Sequence, residues 1–482
     1  MDFSNFWVLE QEILLIMIII VLFFMDIFSS EDRKDTVFYG TIISLFYITI
    51  HGFFVVPLHE YAIGGAFGGI FVSSKMTILM KNVLNIATLL VLLQTYSWLK
   101  TEKMRKQSGE FYIITLFTLL GMYIMVSAGN FMMLYIGMET ASLPLACLAA
   151  YNKSQEKSAE AGVKFVLISA LSSAVMLFGL SFLYGSVGTF YFEDMGAKIL
   201  TADPLTVIGL VFFLGGLGFK LSLVPFHLWT ADVYEGSPTS VTAYLSVVSK
   251  GAAAFALLFA LYKVFGNIEV VWQNILWWLS IITITLGNLF AIRQKDIKRF
   301  FAFSSISQAG YILLGLIAGN AQGMASTVYY VLVYVFSNLA AFAVITSVEN
   351  ATKGKTAIDV FNGLYKSNPK LVLVMTFAVF SLGGIPPFAG FFSKFFIFMA
   401  AASAEQYLLV FIALLNTVVS LYYYLLIVKA MFIRELIPDA PARISSDVYN
   451  KVSMLLCVAG LLLLGIFGFF FYEMADKFSF GI

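Results

Sequence analysis

The sequence predicts an all-α polytopic membrane protein with 14 transmembrane helices, ten of which form two inverted five-helix repeats. Three observations lead to this prediction: the composition, the regular succession of apolar segments, and two segments interrupted by the same tripeptide. The 482 residues are 60% hydrophobic and only 12% charged, whereas soluble domains are nearer half apolar and a quarter charged. The chain is therefore expected to lie in a lipid bilayer, and a net charge of +1 gives no reason to expect a nucleic-acid partner.

Apolar segments long enough to cross a bilayer recur along the whole chain. A helix needs about 20 apolar residues to span the hydrocarbon core. The segments of suitable length lie near 11–28, 37–57, 76–98, 110–128, 130–150, 160–184, 205–229, 239–262, 271–291, 298–318, 323–348, 370–399, 405–432 and 450–472. Spans four and five meet near Gly129 and Asn130, so we expect a tight hairpin there.

The positive charges are divided unevenly between the loops. With the loops numbered alternately, 20 of the 29 Lys and Arg residues fall on one side, five fall on the other, Lys81 among them, and four lie within spans. Because positively charged loops remain on the inner side of a membrane, the division predicts an even number of spans with both termini outside. A miscount of one span would remove this division.

Redox and nucleotide chemistry have no sequence signature in this chain. The two cysteines and three histidines form no group with metal-ligand spacing. The chain also lacks a P-loop and a Gly-rich dinucleotide fingerprint. We therefore expect no redox cofactor and no metal in this chain.

Two spans carry the same interruption, and each is associated with a lysine. Leu-Gly-Gly occurs at 214–216 before Lys220 and at 382–384 before Pro386, Pro387 and Lys394. Glycine and proline disturb helical hydrogen bonding, so we expect breaks at 215–219 in span seven and at 383–388 in span twelve. The alternative is that these are packing glycines and a proline kink.

The two interrupted spans run in opposite directions, which is typical of inverted repeats in transporters. Because five spans separate them, the repeats are predicted to be spans 4–8 and 9–13. The predicted parts are three N-terminal helices in 1–109, a first repeat in 110–262, a second repeat in 271–434 and a C-terminal helix in 435–482.

Four charged residues lie deep within predicted spans: Glu139, Lys220, Lys250 and Lys394. Each costs roughly 2.5–3.5 kcal/mol at the centre of a membrane even on the mildest scale, so stability is a poor reason for their presence. A lysine can release its proton on burial, whereas an arginine cannot. We expect a path for protons, with Glu139 paired to a lysine. The alternatives are that Glu139 only joins two helices and that Lys220 extends toward the surface.

Two further residues are weaker candidates. Lys164 follows Glu160 by four residues, which is also an ordinary surface motif of helices. His227 follows Lys220 by one to two turns, and its usual pKa near neutrality suits a relay, although a lone histidine is often only hydrogen-bonded in place. Asp232 and Glu235 lie in a segment without Lys or Arg, where they attract protons or are simply solvated.

The residues from Phe219 to Ala243, with Asp-Val-Tyr-Glu-Gly at 232–236, resemble the N-type antiporter-like membrane subunit of respiratory complex I, the proton-pumping NADH–quinone oxidoreductase. Supporting stretches run from Glu160 to Lys164, from Gly287 to Tyr311 and from Gly383 to Lys394. Sister subunits and cation/proton antiporters share the broken-helix plan. A lysine at 394 rather than a glutamate, the Ser-Val-Val-Ser-Lys context of Lys250, and the end of the chain after span fourteen favour the N type.

The resemblance implies that Glu139 and Lys220 form the charged pair, that Lys250 is the central relay and that Lys394 is the outer proton site. It implies a bacterial inner membrane with periplasmic termini, and partners among sister antiporter-like and small membrane subunits. FMN, iron–sulfur clusters and quinone are then expected in partner subunits. Gln308 stands where many relatives have histidine, and it can order water but cannot titrate. The rival interpretations are a stand-alone cation/proton antiporter or antiporter-complex subunit, and a non-conducting spacer.

Overall fold

The computed structural model describes residues 4–30, 34–59, 62–435 and 443–479. These residues form a long succession of helices and one short β-hairpin. The helices are α1 Ser4–Trp7, α2 Glu10–Phe28, α3 Asp35–Phe54, α4 Lys75–Leu99, α5 Glu102–Arg105, α6 Ser108–Val126, α7 Phe131–Ala149, α8 Glu156–Val187, α9 Phe192–Lys198, α10 Pro204–Leu221, α11 Leu228–Gly236, α12 Thr239–Tyr244, α13 Lys250–Val264, α14 Glu269–Ile292, α15 Ile297–Ile317, α16 Ala321–Ala351, α17 Pro369–Gly383, α18 Ala389–Ser403, α19 Tyr407–Phe432, α20 Val448–Ile466 and α21 Gly468–Ser479.

The helices confirm a polytopic membrane protein. Within the described ranges, thirteen helices are long and apolar enough to cross a bilayer. Their ends lie within six residues of the predicted ones, except that span seven ends at Leu221 rather than at 229 and that span twelve is not among them. That segment is divided between two shorter apolar helices, Pro369–Gly383 and Ala389–Ser403. The total of 14 spans stays a prediction, because it requires these two halves to cross the membrane together.

A small hairpin closes one face of the helical bundle. Strands β1 (Gly64–Ala66) and β2 (Phe71–Ser73) are antiparallel. The Val72 amide donates to the Ser127 carbonyl at 2.8 Å, and the Gly129 amide donates to the Ile70 carbonyl at the same distance. The hairpin therefore covers the predicted tight turn between α6 and α7. We call this end of the bundle the hairpin face and the other end, where α4 and α7 terminate, the opposite face.

The predicted break in span twelve is confirmed, and the predicted position of the break in span seven is wrong. The chain leaves helical geometry after Gly383 and resumes it at Ala389, whereas α10 continues through 215–219 and ends only at Leu221. The true break in span seven is the segment 222–227, which begins with Ser222 at φ +60°. Its Val224 amide donates to Thr283 Oγ1 at 3.0 Å, so a neighbouring helix holds this loop.

The glycines of α10 serve packing rather than interruption. An added Cβ at Gly216 would lie 2.4 Å from Met176 Cβ, and one at Gly218 would lie 2.8 Å from the Phe226 ring. Glycine is tolerated within a helix whose hydrogen bonds continue, at a cost of about 1 kcal/mol relative to alanine. The alternative of packing glycines therefore describes these residues. The α10 helix continues past them and carries Lys220 on its last turn.

Lys81, which was counted above among the loop charges of the positive-depleted side, is a buried residue of the bundle. It lies within α4, where its side chain is 1% exposed and its Nζ is 2.7 Å from Glu12 Oε1 on α2. The sequence places it near a predicted span end, and only a partner 69 positions earlier in the chain makes its burial possible. The positive-depleted side thereby loses one of its five charges, so the uneven division becomes stronger.

Candidate functional site

Three lysines of the bundle interior share the same kind of environment. Lys220 on α10, Lys250 on α13 and Lys394 on α18 are 5%, 2% and 5% exposed. Each ammonium lies over an aromatic ring, with Nζ 5.5 Å from the Phe165 centroid, 5.6 Å from Tyr234 and 5.0 Å from Tyr311, respectively. The negative face of a ring attracts a cation. None of the three extends to the surface, so the alternative interpretation of Lys220 does not describe it.

Lys220 is held by α7, the helix that carries Glu139. The Lys220 ammonium donates to Ser142 Oγ, and Ser142 lies one helical turn after Glu139. The Glu139 carboxylate accepts a hydrogen bond from Ser173 of α8. Glu139 and Lys220 are thus neighbours across one serine rather than a direct ion pair among the described contacts. This arrangement places a carboxylate close enough to stabilise the Lys220 ammonium without direct contact.

Lys250 begins α13 directly after a local change of helix type. Residues Leu245–Ser249 form a π-helical turn between α12 and α13. Such turns widen a helix by one residue and are frequent at functional sites. The Lys250 ammonium donates to Ser305 Oγ on α15 at 2.5 Å. Lys250 therefore lies at the junction between the first predicted repeat and the second.

Lys394 reaches back across the break in span twelve. Its ammonium donates to the Gly383 carbonyl, the last residue of α17, at 3.3 Å. Gly384 has φ +83°, and an added Cβ there would lie 3.1 Å from Lys394 Cδ. The break thus provides both a free carbonyl and the space for this side chain. The helical C-terminus is itself electrically negative, which favours a cation.

Polar side chains of α15 link the surroundings of Lys250 and Lys394. Next to Ser305, Ser304 Oγ and Tyr424 Oη lie 2.6 Å apart. One turn further, Gln308 donates to Tyr424 at 3.2 Å and accepts from Tyr330. Gln308 and Lys394 line a common cavity of about 10 Å³, which is close to the smallest volume that can hold one water molecule.

His227 lies within the break of span seven, directly before α11. It is 9% exposed, and its Nδ1 has no hydrogen-bond partner among the described residues. A buried ring nitrogen of this kind usually bonds to water. His227 therefore lies at the end of the break that Lys220 precedes, and no contact between the two side chains is among those described.

Lys164 belongs to an ionic network on the opposite face. Its ammonium lies 2.6 Å from Glu160 and 2.6 Å from Asp232, and Arg299 Nη1 lies 2.7 Å from Asp232 and 2.9 Å from Glu235. Lys157 lies 2.7 Å from Glu235. Asp232 and Glu235, which have no Lys or Arg in their own segment, are therefore paired with basic residues of α8 and α15 rather than simply solvated.

The network determines the charge of its two carboxylates. Burial raises the pKa of Asp232, but hydrogen bonds from Lys164 and Arg299 outweigh burial and lower that pKa below its ordinary value. Burial likewise raises the pKa of Glu235, and hydrogen bonds from Lys157 and Arg299 reverse the effect. Both groups therefore remain anionic and fix α11 against α8 and α15.

A cavity of about 340 Å³ lies at the opposite face. Its lining includes Ser237, Ser240, Lys298 and Glu349. The hydroxyls of Ser237, Ser240 and Tyr234 are buried without hydrogen-bond partners among the described residues. Buried hydroxyls without a protein partner usually bond to ordered water, and the Tyr234 ring also lies beneath the Lys250 ammonium.

Only some residues of this site could be recognised from the sequence. Serine one turn after an intramembrane glutamate, as at 142, and the Ser-rich context of Ser305 could have been recognised as hydrogen-bond partners of buried charges. Tyr330 and Tyr424 could not, because their roles depend on which helices pack together. A group of three or more His, Cys, Asp or Glu side chains able to hold a metal is absent from the described ranges.

Comparisons with known proteins show to which family the chain belongs. A family model described as "NADH:quinone oxidoreductase/Mrp antiporter, TM" matches residues 128–420. A relative from Azobacteroides pseudotrichonymphae genomovar. CFP2, named NADH-quinone oxidoreductase subunit N, is 64% identical and covers 100% of this chain and 99% of its own. The chain belongs to the NADH-quinone oxidoreductase subunit N family. A further subunit N from Phocaeicola vulgatus is 53% identical over 85% of this chain and 86% of its own.

Solved structures agree with the subunit N fold. A chain of respiratory complex I from Thermus thermophilus with bound aureothin superposes with a TM-score of 0.81 and 28% identity, covering 96% of this chain and 98% of that chain. A chain of the Mrp complex from Dietzia sp. DQ12-45-1b gives 0.87 at 20% identity and covers 99% and 97%. The second likeness shows the shared fold alone. The predicted resemblance and the antiporter-like fold are thus confirmed.

Proposed function

We propose that this chain is a proton-translocating membrane subunit of an NADH–quinone oxidoreductase, in which buried Glu and Lys side chains and water move protons. The observation that carries the proposal is the set of three buried lysines, Lys220, Lys250 and Lys394, in a bundle of the subunit N family. Buried lysines can exchange protons when their surroundings change. Electron transfer through FMN, iron–sulfur clusters and quinone would take place in partner subunits, so the chain contributes translocation rather than redox chemistry.

The order of the groups follows their geometry. Lys220 donates to Ser142, which lies one turn after Glu139 on α7, so the two charges lie close together on different helices. Lys250 is the central relay, since it donates to Ser305 of the next predicted repeat, and water from the cavity at the opposite face would supply its protons. Gln308 and the adjoining water-sized cavity connect this region to Lys394 as the last site. Lys164 fixes α11 on the opposite face, and His227 lies in the broken segment between Lys220 and α11.

The direction of transport follows from the predicted orientation. The opposite face would be cytoplasmic, because it carries most of the positively charged loops, and the hairpin face would be periplasmic, together with both termini. Protons would enter through the cavity near Ser240 and reach Lys250. A change in the distance between the Glu139 carboxylate and the Lys220 ammonium would then change the proton affinity of the buried lysines. Sister antiporter-like and small membrane subunits would transmit that change from the quinone site.

The experiment that tests the assignment is purification of the tagged chain from native membranes. We expect iron–sulfur and quinone-binding subunits to co-purify, and the reconstituted complex to acidify one side of a vesicle when NADH reduces quinone. A chain that purifies without such partners and alone exchanges sodium or potassium for protons would support the alternative, a cation/proton antiporter. A complex that oxidises NADH without moving protons would contradict the proposal.

A further inference from the structure

A second buried charge pair lies outside this lysine chain, in the helices that precede the first predicted repeat. Lys81 Nζ on α4 is 2.7 Å from Glu12 Oε1 on α2, and the side chains are 1% and 3% exposed. Lys81 also lies over the rings of Phe71 and Tyr123, 5.2 and 5.6 Å from their centroids. A buried ion pair is often no more stabilising than well-packed apolar residues of the same volume. Stability alone is therefore a weak reason for this pair.

The pair and its neighbours include buried polar atoms that make no hydrogen bond to the described residues. Neither oxygen of the Glu12 carboxylate has a hydrogen bond of acceptable geometry, despite the short distance to Lys81, and the same holds for Gln11 Oε1 and Asn85 Nδ2 among the described residues. Buried polar atoms are nearly always bonded to protein or to ordered water. Four such atoms in one cluster indicate a hydrated site.

Toward the hairpin face the cluster continues to partly exposed groups. Glu10 Oε1 is 3.2 Å from His51 Nε2, and Glu10 Oε2 is 3.2 Å from His59 Nδ1. Gln11, the next residue, donates to Asn82 at 3.4 Å, and Asn82 adjoins Lys81. Glu10 and His51, which are partly exposed and can exchange protons with water, are therefore linked to the buried pair through the polar side chains of Gln11 and Asn82.

Toward the centre of the bundle the cluster approaches Lys250. Tyr123 donates to Asn85, which lies one turn after Lys81 on α4. Nearer the start of α6, Thr118 donates to Tyr244 at 2.7 Å. Tyr244 directly precedes the π-helical turn, which Lys250 follows. An added Cβ at Gly251 would lie 3.6 Å from Leu84 of α4. The helix of Lys81 and the helix of Lys250 are thus in contact and joined by polar side chains.

We propose that Glu12 and Lys81 form an additional proton-transfer site, through which protons pass between Lys250 and the hairpin face. The inference rests on the proposed function, since it needs a proton source at Lys250. In one transfer, the N–H bond of the Lys81 ammonium breaks and an O–H bond forms on the Glu12 carboxylate, leaving an amine and a carboxylic acid. Glu12 then releases that proton to water beside Glu10 and His51, and a proton arriving through water from Lys250 restores the Lys81 ammonium. The site returns to its first state with one proton moved.

The test uses the whole complex in sealed vesicles and compares double variants. Glu12→Gln/Lys81→Met removes both charges, so no unpaired charge is left in the interior. The matched control is Asp26→Asn/Lys34→Met, which removes the 2.5 Å ion pair between α2 and the start of α3 at the opposite face. We expect assembly of both variants, and a severalfold loss of proton pumping per NADH in the first variant only. Equal pumping by the two variants would overturn the inference and leave Glu12 and Lys81 as a helix staple.

A milder change covers the case in which the double variant does not assemble. Tyr123→Phe keeps the ring beneath Lys81 and removes only the hydroxyl that donates to Asn85, and Tyr112→Phe on the same helix is its control. A selective loss of pumping in Tyr123→Phe supports the polar connection, and unchanged pumping contradicts it. If the wild-type complex itself does not pump, the proposed function fails instead, so the two failures are distinguishable.

Discussion

The two predicted repeats hold their lysines in different ways, although each lysine lies at a break in a helix. Lys220 precedes its break, on the last turn of α10, and has a carboxylate-bearing helix beside it. Lys394 follows its break and reaches back to the carbonyl of Gly383. No Asp or Glu occurs in α15, the helix of the second repeat that corresponds to α7. Coupling to a full charge is therefore possible in the first predicted repeat, whereas in the second the lysine has a backbone carbonyl at a helix end as its partner.

The largest effect expected is the loss of either lysine. Lys220→Ala and Lys394→Ala should each reduce coupled turnover by about tenfold or more, equivalent to at least ~1.4 kcal/mol, while the complex remains assembled. Lys220→Arg should not restore turnover fully, because arginine retains its proton. Proton pumping and quinone reduction measured at equal complex content check this. If one of the two alanine variants pumps normally, the repeats are not successive parts of one route.

The next effect concerns Gly384. Gly384→Ala places a Cβ in left-handed backbone at φ +83° and 3.1 Å from Lys394 Cδ. The backbone strain alone costs roughly 1–2 kcal/mol, so we expect a lower thermal transition and reduced turnover. Ser222 occupies a left-handed position at the other break with a side chain already present, so Ser222→Gly is the matched control and should be nearly neutral. Equal losses from both changes would contradict the difference between the two breaks.

The comparison can be sharpened with double variants of Glu139. Glu139→Gln/Lys220→Ala should be little worse than the more severe single variant, because both residues act on one step. Glu139→Gln/Lys394→Ala should instead show losses that multiply, since these residues lie in different repeats. Pumping rates of the three single and two double variants give the coupling directly. Multiplying losses in the first double variant would return Glu139 to the role of a residue that only joins two helices.

The smallest effect is a pH dependence at the opposite face. The pKa values of Asp232 and Glu235 are lowered by their basic partners, so these carboxylates stabilise the fold above their ordinary pKa values of 3.8 and 4.5, and the contribution is lost as the pH falls through the folded values. Because the pairs are partly exposed, each should be worth no more than about 1 kcal/mol. Asp232→Asn should lower the thermal transition slightly at neutral pH, and the difference from wild type should shrink on acidification. A difference that grows toward low pH would contradict the ionic network.

The sequence predicted the features that depend on local composition. Runs of apolar residues gave the spans, and the consecutive prolines at 386 and 387 gave the break in span twelve, because proline cannot continue a helix. The break in span seven was misplaced, since glycine permits a break without requiring one. The actual break depends on Ser222 and on the bond from Val224 to Thr283, which joins distant parts of the chain.

The hydrogen-bond partners of the buried charges could not be predicted from the sequence either. Lys81 follows the start of α4 closely enough to resemble a loop residue, and only the packing of α2 against α4 supplies Glu12. Ser142 and Ser173 could be noted as polar, but their pairing with Lys220 and Glu139 depends on the arrangement of three helices. The identities of the charged residues were therefore predictable, and their hydrogen-bond partners were not.

The central claim is that protons cross this chain through Lys250, where the two repeats meet. The most direct measurement is proton uptake into sealed vesicles during NADH oxidation by the complex with Lys250→Ala, at the same complex content as wild type. The control is Lys263→Ala, three to four turns further along α13 at the hairpin face. The account predicts that Lys250→Ala loses most of the proton uptake per NADH while Lys263→Ala keeps it. Wild-type uptake per NADH in the Lys250→Ala complex would contradict the account.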